Sequence, residues 1–235
     1  MRQTLVVFSG AGMSADSGLK TFRDHGGLWE EYNVYDVATP EAWDRDPDMV
    51  TRFYNMRRKQ LLEAEPNAAH KAISELEKKF DVRVITQNID DLHERAGSSK
   101  VLHLHGELRK VRSSIRPDLV YEWDGWEVRP EDVCELGSRL RPHVVWFGEE
   151  VPMMLPAMDW VRKADLFLVI GSSLNVYPAA GLLYDVPPGT PILAIDPGDL
   201  DLSSFPNARQ IRGRAAEMLP AITRKWLENE ILAHP

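Results

Sequence analysis

Leu5-Val6-Val7-Phe8-Ser9-Gly10-Ala11-Gly12-Met13-Ser14-Ala15 puts four apolar residues in succession ahead of a turn with two glycines. A short continuous apolar run suits a strand buried on both faces. The segment Gly10 to Ala15 fits the Gly-or-Ala form of a glycine-rich turn that leaves a strand and opens a helix. Glycines there allow a tight bend and close approach of backbone N–H groups to a pyrophosphate, and a helix N-terminus favours its negative charge. A plain strand-to-helix turn has the same composition, so the nucleotide reading needs support from elsewhere in the chain.

Four more apolar runs follow: Val82-Arg83-Val84-Ile85, His143-Val144-Val145-Trp146-Phe147, Leu166-Phe167-Leu168-Val169-Ile170 and Ile192-Leu193-Ala194-Ile195. Helical patterns lie between several of them, over 48–64, 68–80, 153–163 and 215–230. This alternation implies an α/β fold, a Rossmann-like parallel sheet with crossover helices. Residues 19–66 are long for one strand-to-helix connection, and 107–141 are rich in charge, Trp and Pro. Together they read as a smaller inserted module, within one domain over residues 1–235.

With 43% hydrophobic and 27% charged residues the chain reads as an ordinary folded globule. No stretch approaches the ~20 apolar residues of a membrane span, and Met1-Arg2-Gln3 runs straight into a strand, so a cytoplasmic protein without membrane contact is expected. A net charge of −8 argues against nucleic acid as a partner. Such a surface tolerates basic, lysine-bearing protein substrates, as any solvated acidic surface does. The single cysteine, Cys134, excludes an internal disulfide and any site built from several thiolates. Oligomeric state is not legible.

Thr86-Gln87-Asn88-Ile89-Asp90-Asp91-Leu92-His93 follows the second strand, where ligands collect in open α/β sheets. Asp90 could also cap a helix. His103 and His105 alternate in Leu102-His103-Leu104-His105-Gly106 and so point the same way, one of them a candidate general base near neutral pH. Asp196, closing the run 192–195, could accept from a ribose hydroxyl or form a turn before Pro197-Gly198.

Taken together, the run Gly10 to Arg23, the run Thr86 to His93, His105-Gly106, Phe147-Gly148-Glu149, Gly171-Ser172-Ser173 and Val176-Tyr177-Pro178-Ala179-Ala180 resemble, in order, the motif set of the sirtuins. The resemblance implies NAD as cosubstrate. The loop with Gly10, Gly12 and Ser14 would wrap the pyrophosphate and nicotinamide ribose, with Ala11, Phe22 and Arg23 near the reacting end. Gln87, Asn88, Ile89 and Asp90 would line the nicotinamide pocket, and Gly171, Ser172, Ser173, Asp196 and Ala215 the adenosine side. The family usually has Asn where Asp196 stands, and a carboxylate there would repel a 2′-phosphate, favouring NAD over NADP.

By the same resemblance, His105 and Asn88 are catalytic. The acyl-amide oxygen of an acyl-lysine displaces nicotinamide, His105 takes a proton from the ribose hydroxyls, and water releases lysine and 2′-O-acyl-ADP-ribose. Val144, Phe147, Gly148 and Glu149 would pair with an extended substrate peptide. Tyr54 and Arg57, three apart on a helical face, resemble the pair of the class acting on succinyl- and malonyl-lysine, with acetyl-lysine still able to enter. Mono-ADP-ribosyl transfer and a catalytically silent NAD sensor remain alternatives. One departure stands out: Ser113 occupies the place of a zinc thiol, and only Cys134 remains of four. No metal site is therefore expected, zinc included, and Tyr121, Trp123 and Trp126 are candidates to hold the module by apolar packing.

Overall fold

The computed structural model describes residues 2–20 and 32–228. Nine strands and four helices of eight residues or more occur among them: β1 (Thr4–Ser9), α1 (Pro47–Glu63), α2 (Ala68–Leu76), β2 (Asp81–Thr86), β3 (Val101–His103), β4 (Gly106–Ser113), β5 (Val120–Glu122), β6 (Leu140–Val144), α3 (Met154–Val161), β7 (Leu166–Ile170), β8 (Ile192–Asp196), β9 (Ala208–Arg212) and α4 (Ala215–Leu227). Six form one sheet in the order β3-β2-β1-β7-β8-β9, every pair parallel. The chain winds outward from β1 to β3 and then returns to β7 on the other side. The strand order therefore reverses between β1 and β7, where open α/β sheets leave a crevice.

Leu5, Val6, Val7 and Phe8 of β1 are completely buried because alternate side chains meet different layers. Leu5 and Val7 pack with α2 and α4, through Ile73, Leu76, Leu219 and Trp226. Val6 and Phe8 pack with α3 and the 3-10 segment Ala179–Asp185, through Ala157, Val161, Leu182 and Leu183. Full burial of each such side chain contributes about 1.5–3 kcal/mol.

The run 143–147, expected as a core strand, lies elsewhere. Its first residues close β6, which pairs antiparallel with β4 in a separate three-stranded sheet ordered β5-β4-β6. Continuous hydrophobicity cannot distinguish the two sheets, because Val144 and Trp146 are buried in another apolar cluster, against Phe53, Tyr54 and Leu108. Conversely β9, Ala-Arg-Gln-Ile-Arg, has no continuous apolar run, because it is a half-exposed edge strand.

Helix α1 holds this small module by hydrogen bonds. Arg58, fully buried, donates from Nε to Leu108 O (2.7 Å) and from Nη1 to Trp126 O (3.0 Å). Asn55 exchanges two bonds with the Val128 backbone, at 2.8 and 3.0 Å. Tyr121 and Trp123 do pack on Val111, Val128, Cys134 and Leu140. Trp126 does not: its ring is 40% exposed, with the Lys59 ammonium over it, and the module uses its carbonyl instead.

At the tip, Ser113 Oγ lies 2.8 Å from Ser138 Oγ and accepts from the Arg116 N–H (3.1 Å), while Cys134 Sγ lies 3.1 Å from Ser138 Oγ. Hydroxyls and one thiol hydrogen-bonded to each other do not fit a tetrahedral zinc site, and no group of three or more His, Cys, Asp or Glu able to hold a metal occurs among the described residues. The purified protein is expected to carry no stoichiometric zinc and to keep its activity in chelator; one zinc per chain by elemental analysis would overturn this.

Beneath the strand ends lies a buried polar chain. Asn67 caps α2, accepting from Ala69 N (2.9 Å), and its backbone N–H donates to His70 Nδ1 (3.3 Å), which puts the His70 proton on Nε2. Ser9 Oγ donates to Thr86 Oγ1 (2.9 Å), so His93 Nε2, 3.0 Å away, donates to Ser9. The two imidazoles meet edge to face with centroids 5.0 Å apart. Burial pushes the His70 pKa down to about 4, and burial, then the neighbouring His70, holds His93 well below the ordinary 6.5.

Both histidines are neutral in the fold and bind protons more readily when unfolded. Their contribution is complete above pH 6.5 and lost as pH falls toward the folded pKa, at about 1.4 kcal/mol per pH unit for each. Burial also lowers the pKa of His105 and of His143, which act in the same sense, whereas His103, whose pKa is raised, is protonated in both states below pH 6.5 and adds little slope there. A falling Tm between pH 6.5 and 5 is expected, with the fall reduced in His70→Gln, where the amide can keep the capping box without titrating. An unchanged pH dependence in that variant would remove His70 from the account.

Candidate active site

Register places the site. Ser9 pairs with Thr86 and with Ile170, and Ile170 with Ile195, so the strands end in one row and Gly10, Gln87, Gly171 and Asp196 follow side by side. Gly10 N donates to Ile170 O (3.0 Å) and Gly12 N to Gly171 O (2.9 Å). A Cβ on Gly10 would stand 2.6 Å from Gly171 O, and one on Gly171, whose φ is +59°, would collide with the Met13 nitrogen. The glycines are required first for packing one loop on another, a role beyond close approach to a ligand.

The residues after Gly10 form two 3-10 turns, Ala11–Met13 and Ala15–Ser17, where an α-helix was expected. Tertiary partners take the backbone groups a helix would use. Asn67 Nδ2 donates to Met13 O (2.9 Å) and Ser17 Oγ (3.1 Å). Gly18 at φ +85° ends the second turn.

Asn88 turns its amide under this loop, donating to Gly10 O (3.0 Å) and Ser14 Oγ (3.1 Å). Ser14 in turn donates to Asp90 Oδ2 at 2.9 Å. The other Asp90 oxygen accepts from Leu92 N (3.2 Å), so the carboxylate serves both the loop and the following helical turn, Leu92–Arg95. Burial raises the Asp90 pKa against the Ser14 hydrogen bond. Gln87 Nε2 donates to Ser172 Oγ (2.9 Å), tying the β2 loop to the β7 loop. Ala11, Ser14, Arg57, Gln87, Asn88, Ile89 and Asp90 line one cleft.

The two histidines separate by partner. The strand β3 stops at His103, and both Nδ1 atoms reach back to the β2 loop. His103 bonds Asn88 O (3.0 Å) and, through Nε2, Glu94 Oε1 (2.7 Å). Both partners only accept, so the ring carries two protons. Burial lowers its pKa, but the Glu94 contact and the Asn88 carbonyl outweigh this and the net shift is upward. His105 Nδ1 is 3.0 Å from Gln87 O, a carbonyl that can only accept, which fixes the proton there and leaves a lone pair on Nε2. Burial lowers its pKa against that hydrogen bond. Of the pair, His105 is the neutral one.

Tyr54 is buried and accepts from Trp146 Nε1 at 3.1 Å. Arg57, half-buried, carries its guanidinium 5.9 Å from the Phe53 ring centroid and lines the cleft; burial lowers its pKa, and the neighbouring Tyr54 and then Asp90 oppose that shift. Val144 pairs with Gly106 on β6, whose other edge faces away from β4. Phe147 N–H is engaged with Ala38 O (3.0 Å) and Val145 N–H with His105 O (2.9 Å). The Glu149 side chain accepts from Arg141 (2.8 Å), Arg112 (3.2 Å) and Trp146 N (2.8 Å), so its carboxylate is tied into the small module, while the part expected of it toward a peptide rests on its backbone. Gly148 has φ +90° between them.

Asp196 accepts from Gly198 N (2.8 Å), the turn anticipated as its alternative role, at the mouth of the same row. Ser172 is buried, Ser173 exposed, and Ala215 begins α4 behind Arg214, which binds Asp16 of the second 3-10 turn. Phe22 and Arg23 lie outside the described residues. Two contributors escaped the sequence reading. Asn67 carried the signal of a cap residue before a helical run, but its hold on Met13 had none, and Trp146 read only as apolar.

Residues 10–178 match the Sir2 family. A curated relative from Bacteroides thetaiotaomicron, named an NAD-dependent protein deacylase, is 54% identical over 92% of this chain and 94% of its own length. A solved Sir2 homologue in complex with NAD is similar at TM-score 0.89 and 39% identity, over 97% of this chain and 91% of that one. A Sir2 structure holding a deacetylated p53 peptide and 3′-O-acetyl-ADP-ribose aligns at TM-score 0.81 and 29% identity, over 97% and 94%.

Proposed function

The chain belongs to the Sir2 family, and on that premise we propose that it is an NAD-dependent protein deacylase removing succinyl, malonyl and acetyl groups from lysine side chains. The observation that carries the reading is the meeting of Asn88, Asp90 and Ser14 under the glycine loop, with the neutral His105 bonded to the next carbonyl of the same segment. These donors and acceptors fit a dinucleotide: amide and carboxylate suit a carboxamide, and Ser172, Ser173 and Asp196 offer hydroxyl and carboxylate groups along the strand ends. When bound, NAD supplies an electrophilic ribose carbon with a positively charged leaving group.

The chain's own part is to orient and to move protons. Asn88 and Asp90 would hold the nicotinamide amide, with Gln87 and Ile89 beside it. His105 Nε2 would take a proton from the ribose hydroxyls, a step commonly worth ~10²–10⁴-fold. The free edge of β6 and the segment 144–148 would take an acyl-lysine peptide as an added strand. Tyr54 and Arg57 would meet the carboxylate of a succinyl or malonyl group. No described helix is long and apolar enough to cross a membrane. Incubation with NAD and an acyl-lysine peptide, followed by mass detection, tests the proposal. Free nicotinamide with O-acyl-ADP-ribose supports it; ADP-ribose attached to protein would indicate a transferase, and unchanged NAD a silent sensor.

A further inference from the structure

We infer that Trp146 is a positioning residue for acyl selectivity, because its indole N–H fixes the Tyr54 hydroxyl as a hydrogen-bond donor. An indole nitrogen can only donate. With the Trp146 bond entering the phenol oxygen at 3.1 Å, the Tyr54 proton is directed at a different acceptor. Burial, the largest influence, pushes the Tyr54 pKa up to about 12 against the Arg57 charge and the Trp146 bond, so the proton stays in place at neutral pH. A hydroxyl that already accepts is polarised toward donation.

The indole is itself held. The Arg141 guanidinium lies 3.3 Å from the centroid of its ring, and Glu149 binds that guanidinium at 2.8 and 3.1 Å while also accepting from the Trp146 backbone. Glu149, Arg141, Trp146 and Tyr54 thus form one chain ending in a donor whose charge neighbour is Arg57. A phenol that accepts from the indole and has its own proton to give, beside a guanidinium, matches an acceptor-only group, the carboxylate of a succinyl or malonyl chain, and offers nothing to an acetyl methyl. The inference rests on the reading of Tyr54 and Arg57 as the groups that meet the acyl carboxylate.

The test compares kcat/KM for succinylated and acetylated forms of one peptide in wild type, Trp146→Phe, Tyr54→Phe and the double variant. The ratio of the two substrates on a single preparation is unaffected by any fraction that fails to fold. The succinyl-to-acetyl ratio is expected to fall about 3–10-fold in Trp146→Phe, the range for one neutral hydrogen bond, with no further fall when Trp146→Phe is added to Tyr54→Phe. An unchanged ratio in Trp146→Phe, or a full additional fall in the double variant, overturns the inference. Arg57→Met measured alongside separates the two levels. Selectivity lost there but kept in Trp146→Phe sinks only the role of Trp146, whereas selectivity kept in Arg57→Met removes the acyl reading and the inference with it.

Discussion

His105→Ala is expected to lower deacylation by at least ~10²-fold while NAD still binds, the low end for losing a general base. Its Nδ1 proton is committed to Gln87 O, so the ring presents a lone pair at Nε2 in a fixed orientation. Burial keeps its pKa below the ordinary histidine value, so the base is unprotonated at pH 7 and kcat/KM should fall only as pH drops below about 6.5. His103 cannot substitute, because its two nitrogens are both engaged with acceptors and its ring is charged. Nicotinamide release and calorimetric titration with NAD on the same preparation decide the matter. Turnover like that of the wild type would remove His105 from the mechanism, and loss of NAD binding would make it a structural support.

Of the strands that build the row of the site, β1, β7 and β8 were legible because they are buried on both faces and apolar without interruption, and β2 because its run is broken only by Arg83. What escaped was whatever depends on a partner distant in sequence. His103 and His105 look equivalent two residues apart; only Glu94, nine residues back and contributed by a separate helical turn, makes one charged and leaves the other a base. The Glu149 carboxylate binds Arg112 and Arg141, which lie on different strands, and nothing in the run 147–149 announces either partner. The turn after Gly10 was expected to be helical from local pattern, and the 3-10 geometry follows from Asn67 and Gly171, neither of them local. The sequence of 143–147 is apolar enough for either sheet, and tertiary pairing chose the smaller one.

Arg57→Met is expected to lower desuccinylation selectively, by roughly 10- to 150-fold, the equivalent of a charge-assisted hydrogen bond of ~1.5–3 kcal/mol. Methionine keeps the apolar stem of the side chain and removes the charged guanidinium. Tyr54 and Asp90, both electrostatic neighbours of Arg57, pull its role in different directions, however. Tyr54 makes it half of a donor pair for an acyl carboxylate, and Asp90 makes it a counter-charge within the cleft that Asn88 also lines. If the first dominates, kcat/KM for a succinylated peptide falls steeply and that for the acetylated peptide changes little, since an acetyl group has no carboxylate to lose. If the second dominates, Asp90 loses a compensating positive charge, its pKa rises further, and both substrates suffer together through KM for NAD. Measuring both kcat/KM values, with KM for NAD beside them, distinguishes a specificity residue from a support of the cosubstrate pocket. An equal fall for both peptides would end the acyl-selectivity claim.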